Sequence, residues 1–382
     1  MRARNKMGDR SVFTFSPGPA IMPNSVLEQL AESIIDYNGT GISIAEVSHR
    51  SREYIGGDSI GGIFPHTRTA FKELLNVPDN YEIIFIGGGA SSEFGNIVRN
   101  LVPKGGLAQY INTGNWSQQA YSTAKVFEDG GLVQRIESIG GIEEIDDLKT
   151  LRQIPPGEIN PDAAFVHITP NETIGGIQYQ TFPNTGKVPL VADMSSEIFT
   201  REFGINDFGA VYACAQKNFG LPNLSVVIIR KDLLGDVLPG TIPVEDYKTL
   251  AEKYSAINTP PVVEIYTAGL IAGYIKEQGG VEEMARQADE RSGLVYRAID
   301  KSNGFYISPV QPEVRSKLNI PFLLKDKSLE DTFKQEAKNE GLLELGGHRS
   351  VGGLRASMYV GMQIKGAEML AHFMQHFAVK HG

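Results

Sequence analysis

Two charged residues stand where apolar runs end. VPLVADMSS (188–196) carries Asp193 at the close of a strand-like run, and GAVYACAQKNFG (209–220) carries Lys217 directly after another. In open α/β sheets ligands bind beyond the carboxyl ends of strands, so an aspartate there points into a site, although alone it reads equally as a turn or helix-cap acid. A lysine after an apolar run pays desolvation, which favours the free amine required for Schiff-base chemistry; alone it reads equally as a snorkelling side chain. As a pair they match what pyridoxal phosphate needs: an amine to link its aldehyde and a carboxylate to keep its ring nitrogen protonated. Such a cofactor also needs backbone N–H donors for its phosphate and a flat surface for its ring. GGGASSEF (87–94) provides a glycine-rich strand-to-helix turn, and Trp116, the sole tryptophan, follows the strand-like AQYINTGNW (108–116). Each alone is weak, since the first fits simple turn chemistry and the second core packing. Further along, GGHRSVGGLR (346–355) sets His348, Arg349 and Arg355 among four glycines, a cationic stretch able to hold carboxylate or phosphate or to form a solvated turn.

The elements that must position these residues read as α/β. VLEQLAESIIDY and SSEFGNIVRNLV have helical texture, whereas YEIIFIGGG, AQYINTGNW, AAFVHIT, VPLVADMSS, GAVYACA and LSVVIIR are apolar at nearly every position, as in strands covered on both faces. A long helical pattern runs through 262–303, followed by strand-like FYISPV and NIPFLL and by helices at 328–340 and 364–379. The spacing predicts a large domain with a mostly parallel seven-stranded sheet plus a smaller C-terminal α/β domain, divided as 22–279 and 280–382, with 1–21 packing on the small domain. The 382 residues, 41% hydrophobic and 21% charged, are long enough for about two cores. A net charge of −9 opposes nucleic-acid binding, so an anionic substrate would need locally concentrated cations. One cysteine, Cys214, permits no intrachain disulfide and suits a reducing cytoplasm. MRARNKMGDR precedes no apolar run, and no stretch approaches about 18 uninterrupted apolar residues, so neither a secretory signal nor a membrane span is expected.

FSPGPAIMP, VSHRSREY, IGGGASSEF, TGNWS, PNETIGG, ADMSS, AQKNFG, YSAINTPP and GGHRSVGGLRAS together cover nearly the whole chain. In these motifs the sequence closely resembles the phosphoserine aminotransferases of the fold-type I, class V family. The resemblance implies pyridoxal 5'-phosphate as cofactor, with Lys217 as the Schiff-base lysine and proton shuttle and Asp193 as partner of the ring nitrogen. It implies Trp116 as the stacking residue and Thr173 as a hydroxyl near the ring. Ala90 and Ser91 would give backbone to the phosphate, assisted by Gln216, while Asn258 and Thr259 would reach the neighbouring subunit's cofactor in a homodimer with shared sites. Arg355 would grip the substrate α-carboxylate, and His348, Arg349, His49 and Arg50 the distal anion.

The implied reaction is ping-pong exchange between 3-phosphohydroxypyruvate plus L-glutamate and O-phospho-L-serine plus 2-oxoglutarate, a step of serine biosynthesis, with 4-phosphohydroxythreonine a further candidate. A serine/alanine–glyoxylate transaminase is the alternative; the doubled His-Arg set opposes it, because an uncharged side chain would leave those cations unmatched. A cysteine desulfurase needs a thiol on a loop, whereas Cys214 lies in an apolar run. A cofactor-free binding protein would be expected to lack Lys217 or Asp193. Departures from the family pattern are IGGDSIGGIFPHTRTAF (55–71), expected as a loop or broken helix because of its glycines and proline, together with Ser91, GLPN (220–223) and Val360.

Overall fold

Strands apolar at every position must be covered from both sides, and helices supply that cover. In the computed structural model, which describes residues 10–48, 51, 62–349 and 351–382, seven strands form a central sheet. They are β1 (Tyr81–Gly87), β2 (Leu107–Asn112), β3 (Arg135–Gly140), β4 (Ala163–Ile168), β5 (Leu190–Asp193), β6 (Ala210–Cys214) and β7 (Leu224–Arg230). Their order is β1-β7-β6-β5-β4-β2-β3. Only β7 runs against its neighbours; all other pairings are parallel. Six of these strands are visible as apolar runs in the sequence. The seventh, β3, is not, because it is an edge strand in which only Ile136 and Ile139 are buried.

The helices that frame the site and its covering layers are α1 (Asn24–Ile35), α2 (Ile63–Leu74), α3 (Ala90–Leu101), α4 (Asn115–Asp129), the short α5 (Ala215–Asn218), α6 (Val262–Gln278), α7 (Gly280–Asp300), α8 (Glu330–Asn339) and α9 (Ile364–His381), and a further short helix spans Tyr247–Glu252. Successive strand residues face opposite sides, so adjacent apolar residues enter different cores. Phe85, Ala192 and Val226 pack with Phe71 of α2 and Ile265 and Ile275 of α6. Their neighbours Ile84, Val191 and Val227 pack with Phe94 and Ile97 of α3 and Ala124 of α4.

A second sheet, β8 (Tyr306–Ile307), β9 (Asn319–Leu324) and β10 (Leu354–Ser357), is antiparallel in the order β8-β9-β10. Its core takes Phe322, Leu354, Phe333 of α8 and Phe373 of α9, and also Phe13, Phe15 and Ile21 from the start of the chain. Phe13–Thr14 pairs in parallel with Leu342–Leu343. Helix α7 passes between the two regions, with Val281 and Met284 in the core under β1 to β7 and Val295 and Ile299 in the core of β8 to β10.

Two local readings change. The continuous helical pattern through 262–303 is two helices, because Gly279 at φ 112° takes the left-handed conformation and donates its N–H to the last carbonyls of α6. In the stretch expected as a loop or broken helix, residues 55–61 lie outside the described residues, but IFPHTRTAF is helical from Ile63. Pro65 falls in the first turn of α2, where its missing N–H would have had no intrahelical partner. Among the described residues, no helix is long and apolar enough to cross a membrane.

Candidate active site

Every parallel strand of the central sheet delivers its carboxyl end to one side, and the candidate residues follow those ends. Asp193 closes β5, while β6 runs into α5, whose four residues carry Gln216 and Lys217. From β1 the chain turns through Gly88 and Gly89 into Ala90, the first residue of α3; from β2 it turns through Gly114 into α4, with Trp116 in the first turn. Residues Thr169 to Thr173 follow β4. Across from these ends, β10 presents Arg355, and the turn before it presents His348. Together they line a cavity of about 270 Å³.

Within it the lysine amine is held twice. Lys217 Nζ donates to Thr173 Oγ1 at 2.8 Å and lies 5.6 Å from the centroid of the Trp116 ring. The chain before α1 covers this lysine: the Ala20 N–H donates to the Gln216 carbonyl at 2.8 Å. A Cβ on Gly18, whose φ is +133°, would lie 3.5 Å from the Lys217 side chain. Asp193 is buried and accepts the Ser195 N–H at 3.0 Å. Burial pushes its carboxyl up, against the opposing pull of the Ser195 hydrogen bonds and the Lys217 charge. A protonated ring nitrogen placed beside it would supply the missing cation.

Arg355 is only 5% exposed. One guanidinium nitrogen donates to the Thr173 carbonyl at 3.4 Å, and Nε has no partner among the described residues. Burial lowers the Arg355 pKa, with Tyr359 opposing, so the side chain carries an uncompensated cation toward the cavity. Three further buried polar atoms along the same wall lack partners among the described residues, Trp116 Nε1, Thr169 Oγ1 and Gln216 Oε1. Buried polar atoms are nearly always satisfied, so four orphans around one cavity mark a place for a polar molecule. The donor set fits pyridoxal phosphate: the α3 N-terminus at Ala90 and Ser91 suits a phosphate, the Trp116 face a ring, Asp193 a ring nitrogen and Lys217 an aldehyde.

Of the residues singled out in the sequence, Ala90, Ser91, Trp116, Thr173, Asp193, Gln216, Lys217, His348 and Arg355 line this cavity. Arg349 is exposed on the turn beside His348 and is not part of the wall. His49 and Arg50 lie outside the described residues. Asn258 and Thr259 are exposed and line a separate cavity of about 530 Å³ with Arg99 and Glu245. Sequence reasoning passed over Asn171, Ser195 and Ser196, which also border the site, and Glu172, which is fully buried behind it. The one available signal was their position inside PNETIGG and ADMSS, since serine and asparagine at strand ends otherwise look like turn residues.

The sequence pattern of the class-V aminotransferases matches residues 12–370. The chain is 42% identical over 372 residues to the phosphoserine aminotransferase of Laribacter hongkongensis, covering 97% of this chain and all of that one. Among solved structures it resembles the phosphoserine aminotransferase of Bacillus circulans subsp. alkalophilus, with TM-score 0.88 and 39% identity over 96% of this chain and 98% of the other. It also resembles the pyridoxal phosphate-bound phosphoserine aminotransferase of Trichomonas vaginalis, with TM-score 0.85 and 34% identity over 95% and 99%.

Proposed function

The chain belongs to the class-V aminotransferase family, and from that membership and the cavity we propose that it is a phosphoserine aminotransferase. It exchanges the amino group between glutamate plus 3-phosphohydroxypyruvate and phosphoserine plus 2-oxoglutarate. The observation that carries this reading is the convergence of Lys217, Asp193, Trp116 and a buried, incompletely paired Arg355 on one cavity. Pyridoxal phosphate, when bound, supplies the electron sink that makes the substrate α-proton removable.

The protein's part is binding, orientation and proton movement. Arg355, poised beside Thr173, takes the α-carboxylate common to all four substrates and so fixes where the α-carbon lies. Lys217 Nζ, held by Thr173 Oγ1, is the amine that removes the proton from the α-carbon and returns it in the reverse half-reaction. Asp193 holds a proton on the ring nitrogen, where its own burial penalty is relieved by the cation. Trp116 gives the ring a face, and the first N–H groups of α3 at Ala90 and Ser91 take the phosphate. The segment Pro17–Ala20 over Lys217 keeps bulk water from the amine.

For the distal anion we assign His348 with Arg349, His49 and Arg50. Arg349 is exposed and does not line this chain's own cavity, which supports a second copy helping to enclose the distal group. Asn258 and Thr259, away from the Lys217 cavity, serve the neighbouring subunit's cofactor phosphate. The functional unit is therefore a homodimer with shared sites, divided internally at about residue 280, and it works in the cytoplasm. The test is kcat/KM for phosphoserine, glutamate, serine and alanine side by side, in the parent and in Lys217→Ala. Strong preference for the two substrates with a distal anion, and near-complete loss in Lys217→Ala, is the expected result. Equal turnover of alanine and phosphoserine would replace this reading with a general class-V transaminase.

A further inference from the structure

Glu172 does not border the cavity, yet it is fully enclosed and adjoins the lining residues Asn171 and Thr173. It is 0% exposed, and no lysine or arginine among the described residues pairs with it. Its charge is met by one helix start. Oε1 accepts the Ser117 N–H at 2.9 Å and the Ser117 O–H at 2.7 Å, while Oε2 accepts the Trp116 N–H at 3.1 Å. These are the otherwise orphaned donors of the first turn of α4, where the helix dipole also favours a negative charge. An ordinary helix takes its cap from the residue before it. Here that residue is Gly114, which has no side chain to offer, and a Cβ on it would lie 2.6 Å from the Glu172 carboxyl carbon. A glycine at the cap thus makes room for a carboxylate from a different segment. Ser117 completes the turn by accepting the Thr113 and Gly114 N–H groups at 2.8 and 2.9 Å.

The consequence follows from chain connectivity. Glu172 holds the backbone nitrogen of Trp116, and the next residue, Thr173, holds Lys217 Nζ through its hydroxyl and Arg355 through its carbonyl. The residue before, Asn171, donates to Ser196 Oγ and to Asn319 Oδ1 of β9, each at 2.8 Å. Three consecutive residues therefore tie the indole, the amine and the substrate-facing arginine to one rigid stretch.

We propose that Glu172 is a positioning residue that sets the indole of Trp116 at a fixed height above Lys217, by capping α4 from outside the helix, and so holds the ring-binding slot open at the width of an aromatic ring. This rests on the functional reading above only for what fills the slot. A Glu172→Gln change keeps the volume but turns an NH2 toward one of the two backbone N–H donors, so one cap contact becomes a repulsion.

Trp116 is the sole tryptophan, so its fluorescence reports this position alone. In cofactor-free protein, Glu172→Gln should raise acrylamide quenching of Trp116 at least about twofold. It should also weaken pyridoxal phosphate binding by roughly 3- to 30-fold, the range of one lost helix cap. Ser117→Ala should move both readouts in the same direction by less, and it decides the matter if Glu172→Gln does not fold. Asp326→Ala, which removes a different cap contact, with Ser328, should move neither. Unchanged quenching and binding in the folded Glu172 and Ser117 variants, or equal changes in Asp326→Ala, would overturn the proposal. If the parent itself fails to bind pyridoxal phosphate, the functional reading falls while the quenching comparison still judges Glu172.

Discussion

Removing Arg355 should separate catalysis from stability in opposite directions. The guanidinium is nearly fully buried and, among the described residues, makes one long hydrogen bond of 3.4 Å to the Thr173 carbonyl and leaves Nε unpaired. The side chain lines the cavity, where a carboxylate would complete its donors in a partly desolvated setting. Without that partner, a bound α-carboxylate is left buried and unmatched, a loss of about 2–5 kcal/mol. This corresponds to a fall in kcat/KM from roughly 30-fold to several thousand-fold. Because every substrate carries the α-carboxylate, glutamate and phosphoserine should lose by similar factors in Arg355→Met. The cofactor-free protein should gain, since an apolar side chain of similar length replaces a desolvated cation whose pKa burial already lowers. The gain expected in urea unfolding is about 1 kcal/mol or more. The assay pairs stopped-flow half-reactions for each amino donor with denaturation of the same preparation. Losses that differ more than about tenfold between glutamate and phosphoserine would refute the carboxylate assignment, and a destabilised variant would refute the uncompensated cation.

Glu93 is fully buried, accepting from Tyr247 OH at 2.7 Å and Asn96 at 3.4 Å, and burial pushes its carboxyl up to about 7 from 4.5. A raised acid adds stability that is complete below its unfolded pKa and is lost as pH rises through the folded value. Glu93→Gln should therefore exceed the parent at about pH 8 by up to about 3 kcal/mol and lose that advantage below about pH 5, and pH-independent urea midpoints would contradict it. Mixing inactive Lys217→Ala subunits with inactive Asn258→Ala, Thr259→Ala subunits should restore part of the activity, because one site of each heterodimer carries neither lesion. No recovery despite demonstrated exchange would place both residue sets in one subunit's site.

The alternation of apolar runs and helical patterns determined the α/β class, since a strand apolar at every position is stable only with cover on both faces. Side-chain type at strand ends singled out Asp193, Lys217, Trp116 and the turn at Ala90 as candidates, because the roles proposed for them need only a residue of that kind beyond a strand. The edge strand β3 stayed hidden because only Ile136 and Ile139 in it are buried, and the break at the Gly279–Gly280 pair because the helical pattern resumes directly after it. Tertiary structure alone decided that Arg355 and His348, but not Arg349, line the cavity, since neighbours in a turn follow no fixed period that would assign them to one side. It alone placed Glu172 on the helix of Trp116, 55 and 56 residues earlier in the chain. A carboxylate's partner is set by what folding brings within hydrogen-bond reach, and no local pattern around Glu172 carries that information.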